Sequence, residues 1–277
     1  MRIRYARAVM QISKVLAYFY TKVFIGIVHG RAQTDITVLT VRGSSISQHY
    51  TRKFDGIECS DAMQTFIEEA AELSPLFFTA VLCDAAEQGA IPTCSKQHAG
   101  QFTDVDFLES ICFDEKWMIY LSRDALYHLQ ERYKRIGVDF IFSPFALIKQ
   151  LYKEQISREH ALFILNEETS VSLAVFDKGE FQFAAYEKIG VSDLSSEKQD
   201  DIPKRFKSIE KILDIYYHDV RYKSSFIEKI YLADTQKNTD TIVTLMKNEL
   251  FIDVEYASID LAYEVAKLAA TEAKYAL

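Results

Sequence analysis

Proline and glycine are scarce, four and nine in 277 residues, too few for long flexible linkers. Several chemical signatures are missing altogether. No GxSxG turn, GxxxxGK loop or GxGxxG fingerprint occurs, which removes the serine-hydrolase elbow, the P-loop and the Rossmann phosphate turn. The histidines form no HxH or HxxxH pair, so no metal site is expected. Cys59, Cys83, Cys94 and Cys112 show no CxxC spacing and no nearby histidine in ligand register. They read as reduced, partly buried thiols of a cytosolic protein, with a Cys83 to Cys94 bridge across a hairpin as the alternative. An uninterrupted apolar run is also lacking. The stretch 8–28 is broken by Gln11, Ser13, Lys14, Thr21 and Lys22, so it is read as neither a secretory leader nor a membrane span.

What is present describes a globular chain. Hydrophobic residues make up 49% and aromatic residues 13%, enough for two domains, or one large one, with a buried core. The net charge of −8 argues against a general nucleic-acid binder, which needs clustered cations to neutralise phosphates. That charge is uneven. Residues 1–22 carry Arg2, Arg4, Arg7, Lys14 and Lys22 with no acid, whereas carboxylates crowd the stretch from Asp55 to Glu115. Val9, Ile12, Leu16 and Phe19 recur at helical spacing, so 1–22 is expected to be an amphipathic basic helix. Either it docks on its own domain, or Arg2, Arg4, Arg7 and Lys14 contact an anionic membrane surface or an acidic partner.

One pattern occurs twice. Apolar strands separated by a short polar turn appear at Val23 to Val41 and again at Ala161 to Tyr186, each followed by helical sequence. Between them the chain alternates strand and helix: a helix opened by Ser60 and Asp61, a strand at LFFTAVLC with AIPTC as its return, then WMIYL, a helix ending at Gly137, VDFIF and a helix from Pro144. The later half adds a charged helix from Ile202, the strand FIEKIYLA, a helix, the strand FIDVEYA and a last helix from Ser258. This order is α/β in character. It divides into the helix 1–22, a first lobe 23–156 with an insert at about 76–136, and a second lobe 157–277.

The residues themselves offer little chemistry. His29, Gly30 and Arg31 in the first turn have the makings of a phosphate contact, but one glycine beside an arginine is common in plain hairpins. Asn166 to Ser170 in the second turn put Glu167 beside Glu168, which repels phosphate and reads as a solvated acidic turn. Tyr216, Tyr217, His218 and Asp219 lie in a predicted helix where neighbours do not face one another, so they read as an aromatic core face, not a dyad.

The phrases FIGIVHGRAQTDITVLTV, TAVLCDAAEQGAIPT, WMIYLSRDALYHLQERYKRIGVDFIFSPFALIKQL, SVSLAVFDKGEFQFAAY and IEKIYLADTQKNTDTIVTLMKNELFIDVEYAS, in this order, resemble the PilM and GspL family over about Val23 to Ala270. These are actin-like proteins of type IV pilus and type II secretion systems. The resemblance implies a two-lobed actin-like (ribonuclease H-like) ATPase fold with a small inserted subdomain, in which each lobe's first hairpin turn grips ATP phosphates. It also marks departures. Where nucleotide-binding members show GIDIG, this chain has Gly26, Ile27, Val28, His29 and Gly30. Where they show DIG it has Leu165, Asn166 and Glu167, and where they show paired glycines it has Ala233, Asp234 and Thr235. The implied nucleotide cleft, at Gly26, Val28, Gly30, Leu165, Glu167, Ala233 and Asp234, is therefore degenerate, and no cofactor is expected.

The implied function is a non-enzymatic cytoplasmic scaffold of a pilus, secretion or competence assembly. It would lie at the inner-membrane face and bind the cytoplasmic tail of an inner-membrane protein, with an assembly ATPase as a further partner. The alternative is an ATP-dependent enzyme of the same fold, of the sugar kinase or polyphosphate phosphatase type.

Overall fold

The computed structural model describes residues 20–189, 202–222, 224–235 and 239–273. The expected basic helix, with Arg2, Arg4, Arg7 and Lys14, lies outside the described residues. The chain divides into two compact units. The first holds the described residues of 20–84, 124–143 and 260–273, the second those of 85–123 and 144–259.

The first unit is built on a five-stranded sheet. Strands β1 (Thr21–His29), β2 (Gln33–Arg42) and β3 (Ser45–Asp55) form an antiparallel meander, and β4 (Phe77–Leu82) and β8 (Phe140–Phe142) extend it in parallel, in the order β3-β2-β1-β4-β8. The β-branched and aromatic run of β1 is flanked by strands on both edges and is buried from Val23 to His29. Helix α1 (Asp61–Glu72) starts where predicted, with the Ser60 hydroxyl accepting from Met63 N–H at 3.3 Å. Helix α3 (Arg123–Arg132) leads into a turn closed by Gly137 at φ 73°, whose N–H donates to Tyr133 O at 2.8 Å.

The second unit repeats the sheet. Strands β9 (His160–Asn166), β10 (Ser170–Asp177) and β11 (Glu180–Lys188) form its meander, and β12 (Lys229–Asp234) and β13 (Asp253–Ser258) add in parallel, in the order β11-β10-β9-β12-β13. The expected turn at Lys178 and Gly179 is present, with φ of 48° and 90° between the paired Asp177 and Glu180. Helix α6 (Ile202–His218) lays Phe206, Ile209, Leu213 and Tyr216 into a core shared with Leu162, Val175 and Ile230. Helix α7 (Thr239–Leu250) connects β12 to β13.

A separate three-stranded sheet, β5 (Gln88–Ile91), β7 (Trp117–Ser122) and β6 (Leu108–Phe113) in the order β5-β7-β6, belongs to this unit. Trp117 fastens it by stacking on Phe181 at 4.6 Å between ring centroids. Two expectations are corrected here. The segment AIPTC does not return on β4, because β5 pairs with β7, and the cysteines are not all reduced, because Cys94 and Cys112 form a disulfide across this small sheet. Cys59 and Cys83 are free thiols.

The division into 23–156 and 157–277 also differs from the compact units. Helix α4 (Pro144–Leu151), expected in the first lobe, packs on β9 and β10, and the last helix, α8 (Leu261–Ala273), packs on β1, β2 and β4 of the first unit; the short helices α2 (Lys96–Ala99) and α5 (Lys153–Arg158) belong to the second unit. Chain order does not show which sheet a helix covers. The reason for α8 lies at Gly26, where a Cβ would meet Ala262 O at 2.2 Å and Ala266 N at 2.7 Å. The helix presents Ala262, Ala266 and Ala269, all buried, so its backbone approaches the strand closely.

Gly26→Ala should therefore lower stability by about 3 kcal/mol, because the atoms it would strike are backbone and cannot rotate away. Equilibrium urea unfolding checks this. A change below about 0.5 kcal/mol would mean that α8 moves off the strand at little cost.

Candidate functional site

Both hairpin turns that follow the first strand of a sheet are filled from within their own unit. In the first unit, His29 ends β1 and is 7% exposed. Its Nδ1 lies 2.8 Å from Thr34 Oγ1, and the Thr34 hydroxyl donates to Gly56 O at 2.8 Å. A hydroxyl has one proton, so His29 Nδ1 is the donor to Thr34, and Nε2 is left to accept from the Tyr133 hydroxyl. The chain of bonds from Tyr133 through His29 and Thr34 to Gly56 ties the β1–β2 turn to the segment after α3 and to the end of β3. Gly30 N–H is spent within the hairpin, donating to Gln33 O at 2.8 Å.

Burial lowers the His29 pKa from 6.5 to about 4; Asp84 opposes that shift and Arg132 reinforces it. Burial raises Tyr133 well above an ordinary tyrosine. Beside them Arg132 and Asp84 form an ion pair at 3.1 Å.

In the second unit the turn runs from Asn166 to Ser170 and is closed by Glu167 N–H donating to Ser170 O at 2.9 Å. Arg205, near the start of α6 and 3% exposed, fills it. Its Nη1 donates to Asn166 Oδ1 at 2.7 Å, Glu167 O at 2.6 Å and Ser170 O at 3.5 Å, and its Nη2 donates to Glu168 O at 2.5 Å. Asn166 carries the network onward, its Nδ2 donating to Oδ1 of the fully buried Asp234 at 3.0 Å. Thr235 N–H and Ile259 N–H cap Asn166 O and Asp234 O at 3.1 and 3.0 Å. A turn that grips phosphate presents N–H groups. This one presents carbonyl oxygens to a guanidinium, the opposite polarity.

The residues singled out from sequence fall as follows. Leu165 and Ala233 are paired across β9 and β12 and are buried in the sheet, and Glu167 and Asp234 stand at the adjacent strand ends. Gly26, Val28 and Gly30 follow one another along the first strand and its turn. Gly26 faces the α8 backbone, Val28 pairs with Asp35 and is 8% exposed, and Gly30 is in the turn. The solvated acidic turn is half right, since Glu168 is exposed but Glu167 is buried. Tyr216 is fully buried, while His218 sits 3.0 Å from Asp214 Oδ1 and Asp219 binds Arg221, so no dyad forms. Arg205, Tyr133 and Thr34 were missed. The available signal was Arg205 at a core position of the stripe that continues through Ile209, Ile212 and Tyr216.

No three His, Cys, Asp or Glu side chains among the described residues are grouped to hold a metal ion. A concavity of about 520 Å³ between α6 and α7 is lined by Ile202, Pro203, Asp240, Thr241, Thr244, Leu245 and Asn248, and these residues include no cation to meet a phosphate. No described helix is long and apolar enough to cross a membrane.

In sequence, a domain of unknown function (DUF8569) matches residues 19–149 and another (DUF8341) matches residues 192–274. No curated protein matches the chain. Among solved structures, the chain is similar to the PilM-PilN type IV pilus biogenesis complex, at 10% identity and a TM-score of 0.60, over 88% of this chain and 97% of that one. It is also similar to a Bacteroides thetaiotaomicron protein described as having an actin-like ATPase fold and unknown function, at 9% identity and a TM-score of 0.51, over 93% and 99%. An exopolyphosphatase from Cytophaga hutchinsonii aligns at 9% identity and a TM-score of 0.40, over 83% and 72%. The chain has the actin-like ATPase fold, as its repeated sheet order indicates.

Two outcomes follow from the filled turns. Arg205→Ala removes the guanidinium donors from Glu167 O, Glu168 O and Asn166 Oδ1 and should cost about 3 kcal/mol or more in urea unfolding; a loss below about 1 kcal/mol would mean water replaces the guanidinium. His29 has a folded pKa below its unfolded value, so its contribution is complete above pH 6.5 and is lost as pH falls from 6.5 toward 4. Over that window wild type should lose about 3 kcal/mol more than His29→Gln, and parallel stability curves for the two proteins would refute the assignment.

Proposed function

We propose that this protein is a non-enzymatic scaffold of actin-like fold. It binds the cytoplasmic segment of a membrane protein in a type IV pilus, secretion or competence assembly, at the inner-membrane face. The observation that carries the non-enzymatic part is Arg205 in the second turn, held by Glu167 O and Glu168 O at 2.6 and 2.5 Å. Phosphoryl transfer rests on positioning and on charge stabilisation of the phosphates. A turn whose carbonyls already hold a cation, beside Glu167 and Asp234, supplies neither amide donors nor room for a γ-phosphate. The first turn supports the same reading, since the His29 ring nitrogens and the Gly30 amide are engaged within the unit. The assembly setting is supported by the likeness to the PilM-PilN type IV pilus biogenesis complex.

Isothermal titration calorimetry with Mg-ATP tests the proposal. No binding heat is expected up to about millimolar nucleotide, and phosphate release should equal the buffer blank. Binding at micromolar concentrations, or turnover lost on mutating Asp234, would favour an ATP-dependent enzyme instead.

A further inference from the structure

Among the described strands that end a sheet, β3 is the longest, and no described strand pairs with its outer edge. It spans eleven residues, and all but Phe54 are exposed. Strand β8 is three buried residues, β11 lies against β5, β6 is six residues tied down by the Cys94–Cys112 disulfide, and β13 is six residues carrying the ion pairs Lys229–Glu255 and Lys247–Asp253. An open strand edge presents unpaired N–H and C=O groups and templates the addition of another strand. On β3 a bulge opposite Thr40 and Val41 interrupts pairing near Ser47, leaving Gln48 to Asp55 in regular register with β2.

One face of that regular segment is chemically distinctive. Gln48, Tyr50, Arg52 and Phe54 pair with Thr40, Val38, Ile36 and Thr34 and so project to one side, where Phe66 of α1 packs edge-on to Tyr50 and against Phe54. The Arg52 guanidinium lies 5.1 Å from the Phe54 ring centroid and 5.6 Å from that of Phe66. No carboxylate or carbonyl among the described residues accepts a hydrogen bond from it. Its neighbour Lys53, on the other face, is already paired with Asp35 at 2.8 Å. Arg52 is thus oriented by stacking, with its donor fork unused, a few ångströms from an open strand edge.

We propose that the edge of β3 receives an extended segment of a partner protein, which adds as a sixth strand and places a carboxylate on Arg52 and an apolar side chain over Tyr50. Backbone pairing supplies affinity, and alternate side chains supply selectivity. The charge pattern selects this occupant over a second copy of the chain. No acid occurs from Gly43 to Phe54, and antiparallel self-pairing centred on Tyr50 would set Gln48, not a carboxylate, opposite Arg52. This deepens the scaffold reading and rests on it for the existence of a partner segment.

Fluorescence anisotropy with an end-blocked, labelled peptide, Ser-Thr-Val-Thr-Glu-Thr-Ile-Thr-Ser, tests it. The purified full chain should bind this peptide at least about tenfold tighter than the same peptide with lysine for glutamate, and than one N-methylated at alternate amides. Arg52→Glu should reverse the glutamate-over-lysine preference, and Arg52→Gln should flatten it, with both variants checked for folding by circular dichroism melts. Equal binding of the three peptides, or a preference unchanged in Arg52→Glu, overturns the proposal. So does concentration-dependent dimerisation in sedimentation that Arg52→Glu abolishes, which would assign the edge to a second copy. If peptides fail to bind while Mg-ATP also gives no heat, the edge proposal falls and the scaffold reading stands.

Discussion

Backbone carbonyls buried at a strand end must find donors, and in the turn from Asn166 to Ser170 a single guanidinium reaches both Glu167 O and Glu168 O. Arg205 is buried, so its charge is tolerable only because oxygen atoms surround it. Its contacts tie α6 to the β9–β10 turn and hold the Asn166 side chain. Asn166 then orients Asp234 at the end of β12. Hairpin, helix and parallel strand are joined through one side chain.

The first unit meets the same need with different chemistry. Its turn is closed by a directional chain from Tyr133 to His29, Thr34 and Gly56, in which a neutral imidazole donates on one side and accepts on the other. Equivalent turns of two sheets with one topology are thus sealed independently, one by an arginine and one by a histidine. Both turns direct their polar groups inward, to partners within their own unit. On the reading proposed above, what remains for function is the outer surface of each unit.

Strands buried on both faces were legible. The apolar runs of β1, β2, β9 and β10 stand out because partners on both sides demand Val, Ile, Leu and Phe. Strand β3 was not, since Ser45 to Lys53 are exposed and carry no two-residue apolar alternation. The return of AIPTC onto β4 was misjudged for a related reason: short apolar strands carry no mark of the sheet they join. Of the candidate residues, Val28, Leu165 and Ala233 are apolar and buried in the two sheets, as their flanking strand runs require. Gly26, placed by the resemblance in the implied cleft, lies under α8, where the close helix backbone leaves no room for a side chain; that approach could not be read from the sequence.

By itself, the sequence determined the alternation of strands and helices and the duplicated hairpin, since these follow from local periodicity and from side-chain chemistry carried by each residue. The tertiary structure alone decided that α8 covers the first sheet and α4 the second, that Cys94 reaches Cys112, and that Arg205 enters a turn 35 to 39 residues earlier in the chain. Those choices depend on distances between residues far apart in sequence, where close packing and the pairing of buried polar groups select one arrangement among many that local pattern allows.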